Sequence, residues 1–313
     1  MLFFSQDFVS TNHQIQLPIL TERKVELWIK REDKTHPYVS GNKFRKLKYN
    51  IQEAKELSKT KLLTFGGAFS NHILATAVAA KLKGFSSVGV IRGEELGINL
   101  EKTLQNNSTL QKAYENGMQF HFVSRSDYRK KIQPQFLSEL TQKFGDFYLI
   151  PEGGTNELAI KGCEEILTSQ DFEFDYICSC VGTGGTVAGL IRSAKPHQTV
   201  LGFPALKGDF LRNEVEKWSQ TTNNWRLIKT YHFGGYAKYS EELIRFINEF
   251  KATTKIPLDP IYTGKMMFGI LDLIQNDYFK KGIKIVAIHS GGIQGIEGFN
   301  QMQQKKQSGL RII

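Results

Sequence analysis

Short apolar runs rich in β-branched residues alternate along almost the whole chain with longer amphipathic stretches. This alternation constrains the fold more than any other feature of the sequence. The apolar runs include VELWIK, KLLTF, SVGVI, DYICSCV and IKIVAI. Runs without a polar face are typical of parallel strands that are covered by helices on both sides. The sequence therefore predicts an α/β fold with mainly parallel sheets flanked by helices.

The length of the chain predicts two lobes. At 313 residues it exceeds the size at which a single hydrophobic core stops growing, about 250 to 300 residues. No apolar stretch approaches the roughly 20 residues of a membrane span. The first residues, MLFFSQDFVSTNHQ, lack the basic segment of a secretory signal. We therefore expect a cytoplasmic protein that has no membrane partner.

Charge and cysteine content exclude further classes of protein. The net charge is +10, from 41 Lys and Arg against 31 Asp and Glu, but the basic residues are spread along the chain. This distribution favours anionic small molecules over nucleic acid, although a basic nucleic-acid-binding module is the alternative from another class. Three cysteines without CxxC spacing and seven histidines without ligand spacing predict buried thiols and no metal site.

Three turns rich in glycine and small polar residues follow predicted strands and precede predicted helices. They are residues 66–72, 182–186 and 290–292. In open α/β sheets the ligand crevice lies at the carboxyl ends of the strands, where helix N-termini present free N–H groups to anions. The three turns therefore predict one shared polar site that accepts anions.

The turn GTGGT is a candidate phosphate cradle. It consists of Gly182, Thr183, Gly184, Gly185 and Thr186. Its glycines allow the backbone to fold closely around a phosphate, and its threonines add hydroxyl donors. A dinucleotide site is disfavoured because Val187 stands where GxGxxG requires glycine, and the next strand offers no acid for a ribose. The alternative is a purely structural turn.

Residues 40–59 carry an apolar helical stripe. Its members are Phe44, Leu47, Ile51, Ala54 and Leu57. At about 100° per residue, Lys43 lies about 40° from the centre of this stripe, whereas Lys46 and Lys48 fall nearer its borders. Burial would lower the pKa of Lys43, and the neutral amine would be a nucleophile able to form a Schiff base. The alternative is a lysine that keeps its ammonium group in water.

Five further polar side chains are candidates for the site. Ser70 or Asn71 is a predicted helix N-cap, and the N–H groups of that helix start could bind a substrate carboxylate. Tyr236 and Tyr262 would ordinarily be amphipathic packing residues. Ser290 ends the last strand, where it could donate to a ring nitrogen or cap a helix.

Five motifs together resemble one known family in their order and approximate spacing. They are KREDKTHPYVSGNKFRKL, GGAFSNH, VGTGGTVAGL, LDPIYTGKMMFG and HSGG. The chain resembles fold-type II pyridoxal-phosphate enzymes, and within them the 1-aminocyclopropane-1-carboxylate deaminase and D-cysteine desulfhydrase group. This resemblance implies a two-lobed fold like the tryptophan synthase β-subunit, pyridoxal 5'-phosphate as cofactor, and a homodimer. Residues 1–49 and 156–313 would form the large domain, and residues 50–155 a small domain inserted in it.

The resemblance also implies which residues hold the cofactor. Lys43 would bind it as a Schiff base, and the backbone of residues 182–186 would bind its phosphate. Asn71 would bond to the 3'-oxygen of the cofactor. Ser290 or Thr263 would lie beside the pyridine nitrogen.

The same resemblance places a small amino-acid substrate next to the cofactor. Ser70 would lie beside the substrate carboxylate and Cα, with Asn71 and His72 next to it. Tyr236 and Tyr262 would be the two tyrosines near the substrate. Lys43, Ser70, Tyr236 and Tyr262 are thus the candidate catalytic residues.

Two positions depart from the pattern of the true deaminases. Those enzymes have Tyr-Glu in the motif that reads LDPIYTGK here, and a leucine in the turn that reads HSGG here. This chain has Thr263 and Ser290 there. A glutamate would keep the pyridine nitrogen protonated, and a hydroxyl cannot. The sequence therefore favours D-cysteine desulfhydrase-type β-elimination, which gives pyruvate, ammonia and sulfide. Deamination of 1-aminocyclopropane-1-carboxylate to α-ketobutyrate and ammonia, and a D-serine or other amino-acid deaminase or racemase, are the alternatives.

Overall fold

The computed structural model describes residues 10–313, which form ten strands and thirteen α-helices. The strands are β1 (Asn12–Gln14), β2 (Glu26–Lys30), β3 (Lys61–Gly67), β4 (Ser86–Arg92), β5 (Met118–Val123), β6 (Tyr148–Ile150), β7 (Tyr176–Val181), β8 (Thr199–Pro204), β9 (Trp225–Leu227) and β10 (Lys284–Ile288). The helices are α1 (Pro18–Arg23), α2 (Asn42–Glu56), α3 (Asn71–Lys83), α4 (Leu100–Gln105), α5 (Ser108–Glu115), α6 (Arg125–Tyr128), α7 (Pro134–Phe144), α8 (Glu157–Glu164), α9 (Gly185–Ser193), α10 (Phe210–Ser219), α11 (Glu241–Thr254), α12 (Thr263–Gln275) and α13 (Gly295–Lys305).

The strands form two separate sheets. The larger has the order β1-β2-β10-β7-β8-β9, and the smaller has the order β5-β4-β3-β6. Apart from β1, which runs antiparallel to β2, all neighbours pair in parallel. The predicted α/β class with mainly parallel sheets is confirmed.

The smaller sheet uses only strands from the middle of the chain, between Lys61 and Ile150. The larger sheet combines strands that precede and follow this segment. The expected division at residues 49/50 and 155/156 stays a prediction, and its first boundary falls inside the continuous helix α2.

Helix α2 has the predicted apolar stripe in all but its last position. Phe44, Leu47, Ile51 and Ala54 are buried, and they pack in a cluster with residues of α3 and the smaller sheet. Leu57 is 57% exposed, contrary to the expectation, because the helix ends at Glu56 and Leu57 is its C-cap. The apolar periodicity of the sequence therefore continues one residue beyond the end of the helix.

The start of α2 is held against the end of the larger sheet. Gly41 has a φ of +61°, and a Cβ there would lie 2.0 Å from the carbonyl oxygen of Ser290, so only glycine fits. Two parallel bonds also join Arg45 to Glu32, Nη2 to Oε1 at 2.8 Å and Nε to Oε2 at 2.9 Å. A buried bidentate pair of this kind has a defined geometry. These contacts determine where the side chain of Lys43 lies.

The three cysteines are buried and free, as the sequence predicts. In the described range 10–313, no group of three or more acidic, histidine or cysteine side chains is arranged to hold a metal ion. Within the same range no helix has the length and apolar character needed to cross a membrane.

Candidate active site

A cavity of about 780 Å³ opens at the carboxyl ends of strands from both sheets. The turns after β3, β7 and β10 all border it, which brings together the three glycine-rich turns of the sequence. Eleven of the predicted site residues line the cavity: Lys43, Ser70, Asn71, His72, Gly182, Thr183, Gly184, Thr186, Tyr236, Tyr262 and Ser290. The three turns therefore meet at one cavity, and its role as the binding site for anions stays a prediction.

Two predicted site residues do not line the cavity. Thr263 is fully buried, and its hydroxyl donates to Asp259 Oδ1 at 2.7 Å and accepts from the Asp259 N–H at 2.9 Å. This corrects the expectation that Thr263 could contact a ring nitrogen, and it leaves Ser290 as the candidate. Gly185 lies behind the cavity wall, where a Cβ would be 2.9 Å from Thr155 Oγ1. The absence of a side chain at this position permits close packing against Thr155.

Lys43 lies in the first turn of α2 with its amine at the cavity. Its Nζ donates to the carbonyl oxygen of Gly153 at 3.2 Å. Burial, together with the charge of nearby Lys46, lowers the pKa of Lys43 to about 7. With a pKa of about 7, roughly half of the Lys43 amines are neutral at pH 7. The neutral amine can attack a carbonyl carbon or accept a proton.

Lys46 is a site residue that the helical pattern placed only at the border of the stripe. It is 1% exposed, and its Nζ donates to Thr155 Oγ1 at 2.9 Å, to the Gly153 carbonyl at 3.1 Å and to Thr183 Oγ1 at 3.4 Å. Its amine therefore lies beside the GTGGT turn. The available signal was its spacing from Lys43, because residues i and i+3 share a helix face.

The GTGGT turn begins helix α9, and no side chain caps that helix. Gly184 has a φ of +84°, a conformation that favours glycine. Thr186 accepts a bond from Asn42 Nδ2 at 2.9 Å, which ties the turn to the start of α2. N–H groups of a helix start together with the amine of Lys46 can hold a phosphate dianion.

The turn after β3 begins helix α3. Ser70 is the N-cap, and its Oγ accepts from the N–H of Ile73 at 3.4 Å, as the sequence predicts. Asn71 Nδ2 would lie 3.0 Å from a Cβ at Gly292, so the turns after β3 and β10 are in close proximity. Ser70 and Asn71 can thus bind groups that lie between these two turns.

His72 borders the cavity but its ring is 1% exposed and turned toward strand β3. Thr64 Oγ1 donates to the carbonyl of Ile150 at 2.8 Å, so its single proton is used. Its contact with His72 Nε2 at 2.8 Å therefore has the imidazole as donor. Burial, with the charges of the two lysines, lowers the pKa of His72 well below its ordinary value. The ring is neutral and does not supply a proton.

The two tyrosines form one unit at the far side of the cavity. Their ring centroids are 6.3 Å apart with an edge-to-face orientation. A hydrogen bond couples the hydroxyls of Tyr262 and Tyr236. Burial raises the pKa of both groups. Both hydroxyls are therefore protonated at neutral pH.

Asp259 fixes the position of Tyr262. Its carboxylate accepts bonds from the N–H groups of Ile261 at 2.8 Å, Tyr262 at 2.9 Å and Thr263 at 2.8 Å. It is 1% exposed and does not line the cavity. Asp259 thus holds the backbone that leads into helix α12.

Two further features of the cavity were missed from the sequence. Cys180 Sγ lies 3.0 Å from Ser290 Oγ, so a thiol orients the candidate hydroxyl. At the rim, Arg92 lies over the ring of Tyr128, whose hydroxyl donates to Glu152 at 2.7 Å. These contacts join residues far apart in sequence, and no local pattern indicates them.

Comparison with known proteins agrees with this geometry. Residues 10–291 match the family model described as "Pyridoxal-phosphate dependent enzyme". The chain belongs to this family. It is therefore a pyridoxal-phosphate-dependent enzyme, and pyridoxal phosphate is its cofactor.

Curated relatives of this pyridoxal-phosphate-dependent enzyme carry two kinds of name. It is 31% identical to the bifunctional D-cysteine desulfhydrase/1-aminocyclopropane-1-carboxylate deaminase, mitochondrial, of Arabidopsis thaliana, over 91% of this chain and 76% of the relative. It is 28% identical to the 1-aminocyclopropane-1-carboxylate deaminase of Bradyrhizobium diazoefficiens, over 88% of this chain and 89% of the relative. A crystal structure of an ACC deaminase homologue aligns with a TM-score of 0.78 at 27% identity, covering 97% of this chain and 94% of that one.

The cavity of the pyridoxal-phosphate-dependent enzyme fits this cofactor on its own evidence. Lys43 offers an amine that is about half neutral at pH 7 for the aldehyde, and residues 182–186 with Lys46 can hold the phosphate. When bound, the cofactor supplies a sink for the electrons of a bond broken at the substrate Cα.

Capture of the cofactor by the apoenzyme should depend on pH through Lys43. Only the neutral amine attacks the aldehyde, so the rate is expected to rise with pH and level off above about 7. Stopped-flow absorbance after mixing apoenzyme with pyridoxal phosphate measures this rate, with N-acetyl-lysine amide as the control amine in the same buffers. A rate that keeps rising to pH 10, as for the control amine, would contradict the lowered pKa.

Proposed function

We propose that the protein is a deaminating lyase that acts on D-cysteine by β-elimination. The balanced reaction is D-cysteine plus water giving pyruvate, ammonia and hydrogen sulfide. The Cα–H bond breaks with its proton passing to the protein, and the C–S bond breaks with its electron pair passing to sulfur. Water then hydrolyses the released 2-aminoacrylate to pyruvate and ammonia.

The observation that carries this proposal is the environment of Ser290. Its hydroxyl has a thiol partner, Cys180 Sγ at 3.0 Å, in the position where the true deaminases are expected to differ. The nearby acid, Asp259, has its carboxylate engaged by backbone N–H groups and by the hydroxyl of Thr263. A ring nitrogen at Ser290 would meet a hydroxyl, which does not favour its protonated form as a carboxylate would. A substrate with an acidic Cα–H needs a less powerful electron sink than a cyclopropane does.

Each candidate catalytic residue has a task in this proposal. Lys43, with a pKa of about 7, is a suitable base for the Cα proton because its pKa is close to the working pH. The start of α3 at Ser70 and Asn71 binds the substrate carboxylate through its N–H groups. Tyr262 orients Tyr236 through the bond between their hydroxyls, and Tyr236 is the candidate proton donor to the substrate.

Deamination of 1-aminocyclopropane-1-carboxylate is the second candidate function. Its support is the names of the relatives, among them a putative 1-aminocyclopropane-1-carboxylate deaminase of Pyrococcus furiosus at 31% identity over 86% of this chain. A D-serine or other amino-acid deaminase or racemase would use the same lysine and is distinguished by its product.

The products formed from matched substrates test the proposal. The holoenzyme is expected to release pyruvate and sulfide from D-cysteine with a kcat/KM at least about tenfold above that for α-ketobutyrate release from 1-aminocyclopropane-1-carboxylate. L-Cysteine serves as the stereochemical control and D-serine as the leaving-group control. α-Ketobutyrate as the faster product, or no product from D-cysteine between pH 6 and pH 10, would overturn the assignment.

The homodimer that the resemblance implies and the cytoplasmic location that the sequence predicts also remain proposals. Sedimentation equilibrium of the holoenzyme is expected to give twice the mass of the chain, 35.6 kDa. A single species of monomer mass at micromolar concentration would contradict the dimer.

A further inference from the structure

We propose that Lys265 is the positioning residue for Tyr236, so that helix α12 places both site tyrosines. This inference deepens the proposed function and rests on it for its kinetic test. Lys265 is 2% exposed and does not line the cavity. It must therefore act through another residue.

The turn that carries Tyr236 has an unusual backbone. Phe233, Gly234, Gly235 and Ala237 have φ values of 51°, 90°, 113° and 55°. Left-handed conformations are uncommon for residues with a side chain such as Phe233 and Ala237. A run of this kind persists only where the surrounding structure holds it in place.

Lys265 supplies contacts that hold this turn. Its Nζ donates to the carbonyl oxygen of His232 at 2.9 Å and to that of Gly235 at 2.8 Å. The carbonyl of His232 directly precedes Phe233, and the carbonyl of Gly235 directly precedes Tyr236, so the two bonds span residues 233–235. Hydrogen bonds from a buried ammonium to carbonyls are strong, because the cation has lost its water.

The same helix also holds the segment before the turn. Tyr231 donates from its hydroxyl to Asp272 Oδ2 at 2.6 Å, and Asp272 lies two turns along α12 from Lys265. A Cβ at Gly269, on the intervening turn, would lie 2.7 Å from the ring of Tyr231, so helix and segment are in direct contact. Tyr231 and the turn after it are thus packed and bonded along one face of α12.

Helix α12 also places the second tyrosine. It begins at Thr263, directly after Tyr262, and Asp259 fixes that helix start through three backbone N–H groups. Tyr262 is therefore held by the start of the helix, and Tyr236 is held by Lys265 in its first turn. This common support accounts for the defined edge-to-face contact between the two rings, 6.3 Å between centroids.

A double-mutant cycle on the holoenzyme tests whether Lys265 acts through Tyr236. Lys265→Met is expected to lower kcat/KM for D-cysteine by about 10- to 100-fold, as misplacement of a catalytic group does. In a Tyr236→Phe background the same change is expected to cost less than about twofold, because residues that act as a unit are not additive. Effects that multiply in the double variant would overturn the proposal.

A control variant separates positioning from loss of stability. Ile270→Val shortens a fully buried side chain on the same helix without touching the carbonyls of the turn. It is expected to lower Tm and to leave kcat/KM within about twofold of the wild type. If Lys265→Met does not give folded protein, Lys265→Gln keeps one donor and should show a smaller effect with the same non-additivity.

Hydrogen exchange gives a readout that does not depend on the substrate. In Lys265→Met holoenzyme the amides of residues 231–238 are expected to exchange faster, with those of residues 261–264 unchanged. If exchange is faster in Lys265→Met but the wild-type holoenzyme does not turn over D-cysteine, the role of Lys265 is retained and the proposed function is rejected. Unchanged exchange at residues 231–238 would reject the role of Lys265 even if D-cysteine is the substrate.

Discussion

Lys43→Ala is expected to abolish the visible absorbance band that pyridoxal phosphate develops in the wild-type protein. It is also expected to lower pyruvate release from D-cysteine by at least about 10³-fold, because it removes both the nucleophile and the base. The reason lies in the environment of the amine, because burial and the charge of Lys46 lower its pKa to about 7. Absorbance titration with the cofactor, followed by a pyruvate assay, measures both effects.

Lys48, another lysine on helix α2, provides the control. Lys48 is bonded to Glu165 at 2.6 Å, away from the cavity lining. Lys48→Ala is expected to retain the band and the activity. Borohydride reduction of the wild-type holoenzyme should attach the cofactor covalently to the peptide that contains Lys43. A band that survives in Lys43→Ala would identify another amine, and Lys46, which shares the carbonyl of Gly153, would be the first to test.

Lys46→Met is expected to weaken cofactor binding about 10- to 100-fold, as loss of a charge-assisted bond to phosphate does. Its amine lies 3.4 Å from Thr183 Oγ1 in the candidate phosphate cradle and has no contact with solvent to compensate for the loss. Fluorescence titration of the apoenzyme gives the dissociation constant. The charge of Lys46 also lowers the pKa of Lys43, so the pH at which the capture rate levels off should move upward.

Lys48→Met is the matched control for this variant, because it removes an equal charge from the same helix. It should bind the cofactor with wild-type affinity. If Lys46→Met loses thermal stability but keeps both its affinity and its pH profile, then Lys46 serves only to hold the turn at Gly153 and Thr155. A loss of affinity that disappears with pyridoxal, which has no phosphate, would instead support the phosphate contact.

Much of the fold could be predicted because a continuous apolar run in the sequence indicates a strand that is buried in a parallel sheet. Runs such as IKIVAI and DYICSCV have no polar face, and in the structure they are the adjacent buried strands β10 and β7. The N-cap at Ser70 and the burial of Phe44 and Leu47 follow from spacing within one element. The error at Leu57 arose because periodicity does not mark where a helix ends.

The sequence by itself determined the class of fold, the three turns that line the cavity and the lysine with an inward-facing amine. These follow from interactions between residues close together in the chain, where strand and helix geometry decide which groups share a face. The resemblance of five ordered motifs added the cofactor, and the family match confirmed it.

Only the tertiary structure decided how the polar groups within the site are paired. Thr263 is bonded to Asp259 and does not line the cavity. Ser290 has the thiol of Cys180 as its partner, and Lys46 contacts Thr183 in the GTGGT turn. The tertiary structure also placed Lys265 under the turn of Tyr236, 30 residues away in sequence at Gly235. Such pairings depend on the closing of long loops and on the need of each buried polar group for a partner, and neither has a local signature.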